Sequence, residues 1–284
     1  MEKLITVVLP SYKSAKLVIS HVEKISKKIK IIVIENSRDI KLKKRIEKDY
    51  SNTRVYLQNN IGYGRAINLG ASHVKTKYFL VMNPDTIIYK DTIKNLLVAA
   101  TRIKKFGALS PDQIQNKNKN KKSKNKIKEE KMLDGGAMLF DKEIFKKIKG
   151  FDNNIFLYYE ENDFYHKCNN LNLKLYLIKN SFFYHSQKGD SSSAIFKSSK
   201  EKFYAYLIAG WHGQWSKFYY LKKYYGFTYS FYKCLPNLII NIIQLFVKGV
   251  IFSKKSIYIY FKIEGLVSSI IGLPSFKRSK YDKS

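Results

Sequence analysis

The stretch FLVMNPDT, residues 79–86, decides the fold. Phe79 to Met82 form a short continuous apolar run, the pattern of a strand buried on both faces. Pro84 cannot donate to a sheet ladder, so the strand must stop and present one carboxylate, Asp85, at its carboxyl end. The neighbouring segments repeat the theme. Apolar strand patterns at 4–10, 30–37, 53–59 and 78–85 alternate with helical spacing at 14–29, 40–50, 64–74 and 91–103. Such alternation predicts an α/β fold with a mostly parallel, Rossmann-like central sheet covered by helices. Ligands of these sheets bind beyond the carboxyl ends of the strands. Those ends are polar here: Pro10-Ser11-Tyr12, Glu35-Asn36-Ser37, Asn59-Asn60 and Asn83-Pro84-Asp85. The first strand is expected to end at Pro10.

The 284 residues include 53 Lys and Arg against 22 Asp and Glu, a formal net charge of +31. That balance suits acidic partners, but Lys, Asn, Ile and Tyr are abundant together, so compositional drift explains it equally well. Cys168 and Cys234 are too few for a disulfide framework or a zinc site. No secretory leader opens the sequence, and a cytoplasmic setting is expected. Residues 113–131, with eight lysines, read as a solvated loop insert. The insert has no aromatic residue or arginine, so no nucleic-acid partner is expected.

Order resumes at 134–152 with Gly135-Gly136, a short strand, a capped helix and Gly150 as its stop. Glu160, Glu161 and Asp163 then stand at the start of a helix, where acids suit its dipole. Residues 173–185 form a further strand that ends at His185.

Taken in order, VVLPSYKS, VIENS, NNIGYGRAINLG, FLVMNPDT, GGAMLFDKEIFKKIKGFD, IFLYYEENDF and YHSQKGDSS resemble the family 2 glycosyltransferases, in their bacterial rhamnosyltransferase-like branch. Each motif alone is weak; the ordered series over about 4–195 is specific. The resemblance implies a GT-A fold, a nucleotide-diphosphate sugar donor (dTDP- or UDP-linked), Mg²⁺ or Mn²⁺, and inversion at the anomeric carbon. It places Asp85 as the metal-binding aspartate, with His185 completing the metal shell. Pro10, Tyr12 and Glu35 fall beside the base and ribose, Glu35 standing where the family has aspartate. Asn60, Gly62, Gly64 and Arg65 fall on the nucleotide side, with Arg65 towards phosphate. Gly135, Gly136 and Ala137 line the sugar. The family pattern Glu-Asp-x-Asp is here Glu160-Glu161-Asn162-Asp163, so Glu161 takes the place of the general base, Glu160 is the second candidate, and Asp163 is an anchor for the helix. Rhamnose is the sugar of the branch resembled. The rival readings are a basic nucleic-acid-binding protein and a nucleotidyltransferase, but SYKSAK lacks the glycine-rich phosphate loop the latter would use.

Two regions follow from this reading: a catalytic domain over 1–202 and a helical, aromatic and basic extension over 203–284. Residues 235–252 are apolar except for Asn237, Asn241, Gln244 and Lys248, whose steps of four, three and four draw one polar stripe on a helix. That stripe predicts a helix lying in an anionic membrane surface, with Leu238 and Ile242 towards lipid. The alternative is a helix packed on the core. A glycan or lipid-linked acceptor would suit a protein peripheral to the inner face of the cytoplasmic membrane.

Overall fold

The computed structural model describes residues 2–114, 126–185, 198–249 and 253–283. The chain divides into two compact units. One comprises Met1–Ile61, Arg65–Phe151 and Phe164–Ile195; the other comprises Gly62–Gly64, Asp152–Asp163 and Phe196–Ser284.

In the first unit, strands β1 (Ile5–Ser11), β2 (Lys30–Glu35), β3 (Thr53–Leu57) and β4 (Tyr78–Met82) alternate with helices α1 (Ala15–Lys24), α2 (Ile40–Asp49) and α3 (Tyr63–His73). The four strands are parallel, in the order β3-β2-β1-β4. Both faces are covered, so β4 carries Tyr78, Leu80 and Met82 into one apolar core, while Phe79 stacks with Phe140 and meets Phe145 edge-on. The second half departs from the simple alternation. β5 (Thr86–Ile88), α4 (Thr92–Ile103), β6 (Ala108–Gln113), β7 (Ile127–Glu130), β8 (Ala137–Asp141), α5 (Lys142–Lys147), α6 (Glu160–Asn170) and β9 (Leu175–His185) follow. β8 joins the sheet antiparallel to β4, and β9 runs parallel to β6 but antiparallel to β5 and β7. Asp141 caps α5 by accepting from the backbone of Glu143 and Ile144, and Gly150 ends it with φ 54°.

Three expectations need correction. β1 continues past Pro10 to Ser11. The Ser11 carbonyl accepts from Asn36 of the β2 side, so the Pro10 backbone faces the opposite edge, where pairing with β4 has ended at Val8. The missing N–H therefore costs no ladder bond. Helix α1 stops at Lys24, well before residue 29, because the chain turns extended at Ile25 and sends Ile25 and Ile29 into the core. The expected loop over 113–131 ends in strand β7, with Ile127 against the core and Glu129 paired with Lys174. Residues 115–125 lie outside the described residues, as does the 186–197 segment holding Gly189 and Ser191.

The second unit is mainly three helices: α7 (Ser199–Tyr225), α8 (Phe227–Gly249) and α9 (Lys254–Ile270). Ser198 and Ser253 cap α7 and α9 with their hydroxyls. The helices α7 and α9 approach closely: a Cβ on Gly265 would stand 2.2 Å from the Trp211 carbonyl oxygen. The segment after α9 is tied to α7. Trp215 Nε1 donates to the Leu273 carbonyl at 2.9 Å, and His212 Nε2 donates to that of Lys277 at 2.8 Å. His212 Nδ1 then accepts from the Ser275 hydroxyl, and burial pushes this imidazole down to about 3.

Helix α8 holds the one stretch among the described residues long and apolar enough to cross a membrane, Phe227–Val247. The expected polar stripe is split. Asn237 is exposed, Gln244 is half-buried, and Asn241 is buried against α9, where it accepts from Lys262 at 3.3 Å. The Lys248 side chain lies outside the described residues. Leu238 does not face outward as expected: it packs on Phe218, Cys234 and Leu266. Exposed apolar side chains run along α8: Phe227, Tyr229 and Tyr232 near its start, and Ile239, Ile240, Ile242, Ile243, Phe246 and Val247 further on.

Candidate active site

The carboxyl ends of β1 to β4 lie side by side, in the register Ser11↔Glu35↔Leu57. Pro10 is buried in β1, and Tyr12 follows it half-buried, with the Lys13 ammonium 5.4 Å from its ring centre. The Ser11 hydroxyl is buried and has no hydrogen-bond partner among the described residues. Glu35 is buried and its carboxylate is used locally. It accepts from the Ser37 backbone and hydroxyl and from the Asp39 backbone, at 2.6–3.0 Å. This shapes the turn after β2. Asn60 and Arg65 are half-buried on either side of the turn into α3.

Within the second unit, Gly62 has φ +91°, and an added Cβ would stand 2.4 Å from the Phe156 carbonyl oxygen. Glycine is required there for both conformation and space. Gly64 is buried in the first turn of α3.

The metal candidates meet. β5 pairs antiparallel with β9 in the register Thr86↔His185. That ladder sets His185 Nε2 3.1 Å from Asp85 Oδ1, across 100 residues of sequence. The hydrogen bond to Asp85 raises the His185 pKa above its usual value, against the effect of burial. Two further residues belong to this corner. Asp134 Oδ1 stands 3.9 Å from His185 Nδ1, too far for a hydrogen bond, and accepts from Gly136 N at 2.7 Å. A Cβ on Gly136 would come within 3.2 Å of that imidazole and 2.8 Å of Phe183. His21, on α1, donates from Nε2 to the Pro84 carbonyl at 2.9 Å and so fixes the residue before Asp85. Burial lowers the His21 pKa, which keeps the ring neutral. Asp134 had a signal in the sequence, an acid directly before Gly135-Gly136. His21 had none, since it reads as one more position on the buried face of a helix.

A carboxylate oxygen and an imidazole nitrogen at one point form a donor set that Mn²⁺ accepts readily and Mg²⁺ less so. Among the described residues, no group of three or more His, Cys, Asp and Glu side chains gathers to hold a metal ion. The Asp85–His185 pair therefore fits a cation that takes the rest of its shell from phosphate oxygens and water. A cleft of about 720 Å³ opens beside Asp85, between α1 and α4. It shares His21, Pro84 and Asp85 with this corner but none of Pro10, Tyr12, Glu35, Asn60, Gly62, Gly64 and Arg65.

The acidic motif sits in the second unit and is built differently. Tyr158 and Tyr159 both have positive φ, 67° and 68°, directly before α6. Each costs about 1 kcal/mol for a non-glycine residue, so the turn must be held from outside. The Glu160 carboxyl holds part of it, by accepting from the backbone of Tyr158 and from its own N–H. Ser216 on α7 donates to the Leu157 carbonyl at 2.9 Å. Asp163 is fully buried and is bound by Lys223 and by the Tyr224 hydroxyl. Lys223 also meets Asp152 at 2.6 Å, and Tyr219 donates to the same Asp152 oxygen. Asp163 is thus the anchor of the helix start. Glu160 is 2% exposed, and its Oε1 has no hydrogen-bond partner among the described residues. Burial, then repulsion from the Glu161 carboxylate, pushes its pKa up to about 8. Glu161 is less buried than Glu160.

The sequence model of glycosyl transferase family 2 matches residues 6–177. The chain belongs to that family. Membership selects the transferase among the three readings of the sequence. No curated protein matches the chain significantly. Solved glycosyltransferases share its fold. The structure of GalNAc-T7 with UDP, GalNAc and Mn²⁺ matches with TM-score 0.54 and 13% identity, over 77% of this chain and 50% of that one. S. aureus TarS 1-349 in complex with UDP-GlcNAc matches with TM-score 0.50 and 14% identity, over 95% and 92%. The mannosyltransferase PcManGT from Pyrobaculum calidifontis, in complex with GDP-Man and Mn²⁺, matches with TM-score 0.54 and 11% identity, over 94% and 87%. This family 2 chain thus spans half the length of the GalNAc-T7 chain it matches. At such identities the likeness is one of fold, and it supports the GT-A architecture.

Proposed function

We propose that this family 2 protein is an inverting, metal-dependent glycosyltransferase. It moves a sugar from a nucleotide-diphosphate donor to an acceptor hydroxyl of a cell-surface or lipid-linked glycan. The observation that carries the reading is the Asp85–His185 pair, made by the β5–β9 ladder at the carboxyl end of the parallel strands. The strand ends supply the nucleotide floor: Pro10 and Tyr12 flank the base, the Ser11 hydroxyl offers an unused donor, and Arg65 meets phosphate. Asp85 and His185 hold the cation, and His21 and Asp134 keep that pair in place. The cation, when bound, offsets the charge that grows on the leaving diphosphate. Glu161 removes the proton from the acceptor hydroxyl, which is a weak nucleophile until then. Glu160, with a pKa of about 8, holds its proton at neutral pH and so is the poorer base. Structures of this fold carry UDP-GlcNAc in one case and GDP-Man in another, so the fold leaves the donor open. Rhamnose rests on the branch that the motifs resemble. Titration of UDP, dTDP and GDP with Mn²⁺ into the wild type and Asp85→Asn tests the site. A loss of about tenfold or more in metal-dependent affinity is expected. Equal affinity in both proteins would remove the metal role.

We also propose that α8 brings the enzyme to an anionic membrane surface without crossing it. Its outward face supports this: Phe246 is 80% exposed and Val247 74%. Contiguous exposed apolar surface of this kind marks an interaction site. Leu238 packs inward and takes no part in that face. Ile243→Asp with Phe246→Asp should release the protein from anionic vesicles in co-sedimentation. Resistance of the wild type to alkaline carbonate would point to a true span instead.

A further inference from the structure

One aromatic surface of the second unit is not used by the donor site or by the membrane face. On α7, Tyr206, Gly210 and Gly213 follow at helical spacing and lie on one side of the helix. Tyr258 of α9 lies directly on Gly210, where an added Cβ would stand 2.4 Å from its ring. The Tyr206 ring is stacked on that of Tyr258, with centroids 4.1 Å apart and planes at 15°. Their phenol groups are also hydrogen-bonded to each other. Tyr158 lies over Gly213, with its ring 3.7 Å from where a Cβ would be. The two glycines thus seat two rings beside each other, and a third ring is stacked on one of them.

These rings are not buried. Tyr206 is 52% exposed and Tyr158 45%, although stacking would normally be a way of hiding such surface. Tyr158 also has a left-handed backbone conformation, φ 67°, two positions before Glu160. The strain holds an exposed ring next to the acidic motif, where a merely structural tyrosine has no need to be. The chemistry of the surface is specific. A pyranose has an apolar face of C–H groups and a rim of hydroxyls. Flat, partly exposed phenol rings match the former, and their hydroxyls and a nearby carboxylate match the latter. A lipid surface would bury a long apolar face, and that face lies on α8.

We infer that Tyr158, Tyr206 and Tyr258 form the acceptor-side saccharide platform, on which a pyranose ring stacks with its hydroxyl rim towards Glu160 and Glu161. The inference rests on the proposed transferase reading and specifies its acceptor: a sugar of a glycan, and not a simple alcohol or a protein side chain.

The test uses the full chain and a panel of probes, the methyl glycosides of glucose, galactose, mannose, N-acetylglucosamine and rhamnose. Saturation-transfer NMR should show magnetisation passing to the ring C–H protons of at least one glycoside. Tyr206→Ala should reduce that signal about tenfold, and Tyr206→Phe should keep it within about twofold, because the ring face is retained. Tyr206→Leu, which keeps apolar bulk without a flat face, should behave like the alanine variant and serves if the latter does not fold. An undiminished signal in Tyr206→Ala or Tyr206→Leu would overturn the platform, as would the lack of any signal with wild type. Loss of binding to anionic vesicles in Tyr206→Ala, with saturation transfer unchanged, would reassign the rings to lipid. Titration of nucleoside diphosphate with Mn²⁺ into the wild type separates the two readings. Tyrosine-dependent glycoside binding without nucleotide binding removes the transferase and leaves the platform. Nucleotide binding without tyrosine-dependent glycoside binding removes only the platform.

Discussion

The corner at Asp85 and the helix start at Glu160 bring acids into place by opposite means. At Asp85 the backbone does the positioning. The β5–β9 register fixes Thr86 opposite His185, and the two side chains meet as a consequence. Neither is deeply buried, and His21 fixes the Pro84 carbonyl beside them. At Glu160 the backbone is strained, and side chains hold it: Lys223 on two aspartates, Tyr224 on Asp163, and the Glu160 carboxyl on the turn itself. The first arrangement pairs a carboxylate with an imidazole at a strand end. The second spends the polar atoms of Asp163 on its own stability, while Glu161 is less buried than Glu160.

That contrast predicts that substitutions in the Glu160 network unfold, while those at the Asp85 corner and at Glu161 disable. The largest effect is expected for Lys223→Met. It strips the cation from Asp163, which is fully buried. Leaving such a carboxylate unpaired costs roughly 3 kcal/mol or more, readable as a shift in the denaturant midpoint. An unchanged midpoint would show that Tyr224 alone suffices to hold Asp163, and the contrast would weaken.

Glu161→Gln should do the reverse. Stability and donor affinity should stay near wild type, while transfer falls by about 10²-fold or more, because a base acts only in the chemical step. If Glu160→Gln is the dead variant and Glu161→Gln is active, the base is one residue earlier than assigned.

The smallest effect is one of pH. Glu160 has an ordinary value of 4.5 and a folded value of about 8. Between the two, the folded state holds more protons than the unfolded state, so this group makes stability fall as pH rises through that window. His212, depressed to about 3 from 6.5, acts in the opposite sense and makes stability fall as pH drops below 6.5. Denaturant titrations from pH 5 to 9 on wild type and Glu160→Gln separate them. The variant should lose the decline on the alkaline side and keep the acid one. A parallel decline in both proteins would mean that Glu160 does not hold its proton.

Helix α8 shows where sequence reading stops. Its polar stripe was legible, since Asn237, Asn241 and Gln244 follow helical spacing. Which side faced inward was not legible. Asn241 found a partner in Lys262, and Leu238 found a pocket against Phe218, so both turned towards the other helices. Periodicity reveals a face; only neighbours decide what it meets.

By itself the sequence determined the parallel half of the sheet, the stop at Pro84, the helix that opens with Glu160, and the family. These follow from local rules: apolar runs, a residue without an N–H, acids near a helix start, and an ordered series of motifs. Tertiary structure decided the rest. It let β1 run past Pro10, because the neighbouring ladder had already ended. It made a strand of Ile127–Glu130, because an open edge of β9 was there to pair with. It brought His21 and Asp134 to the Asp85 corner, and it stacked Tyr206 on Tyr258. Each of these depends on which distant segment lies alongside, and contacts between distant segments are set by packing, which no local pattern records.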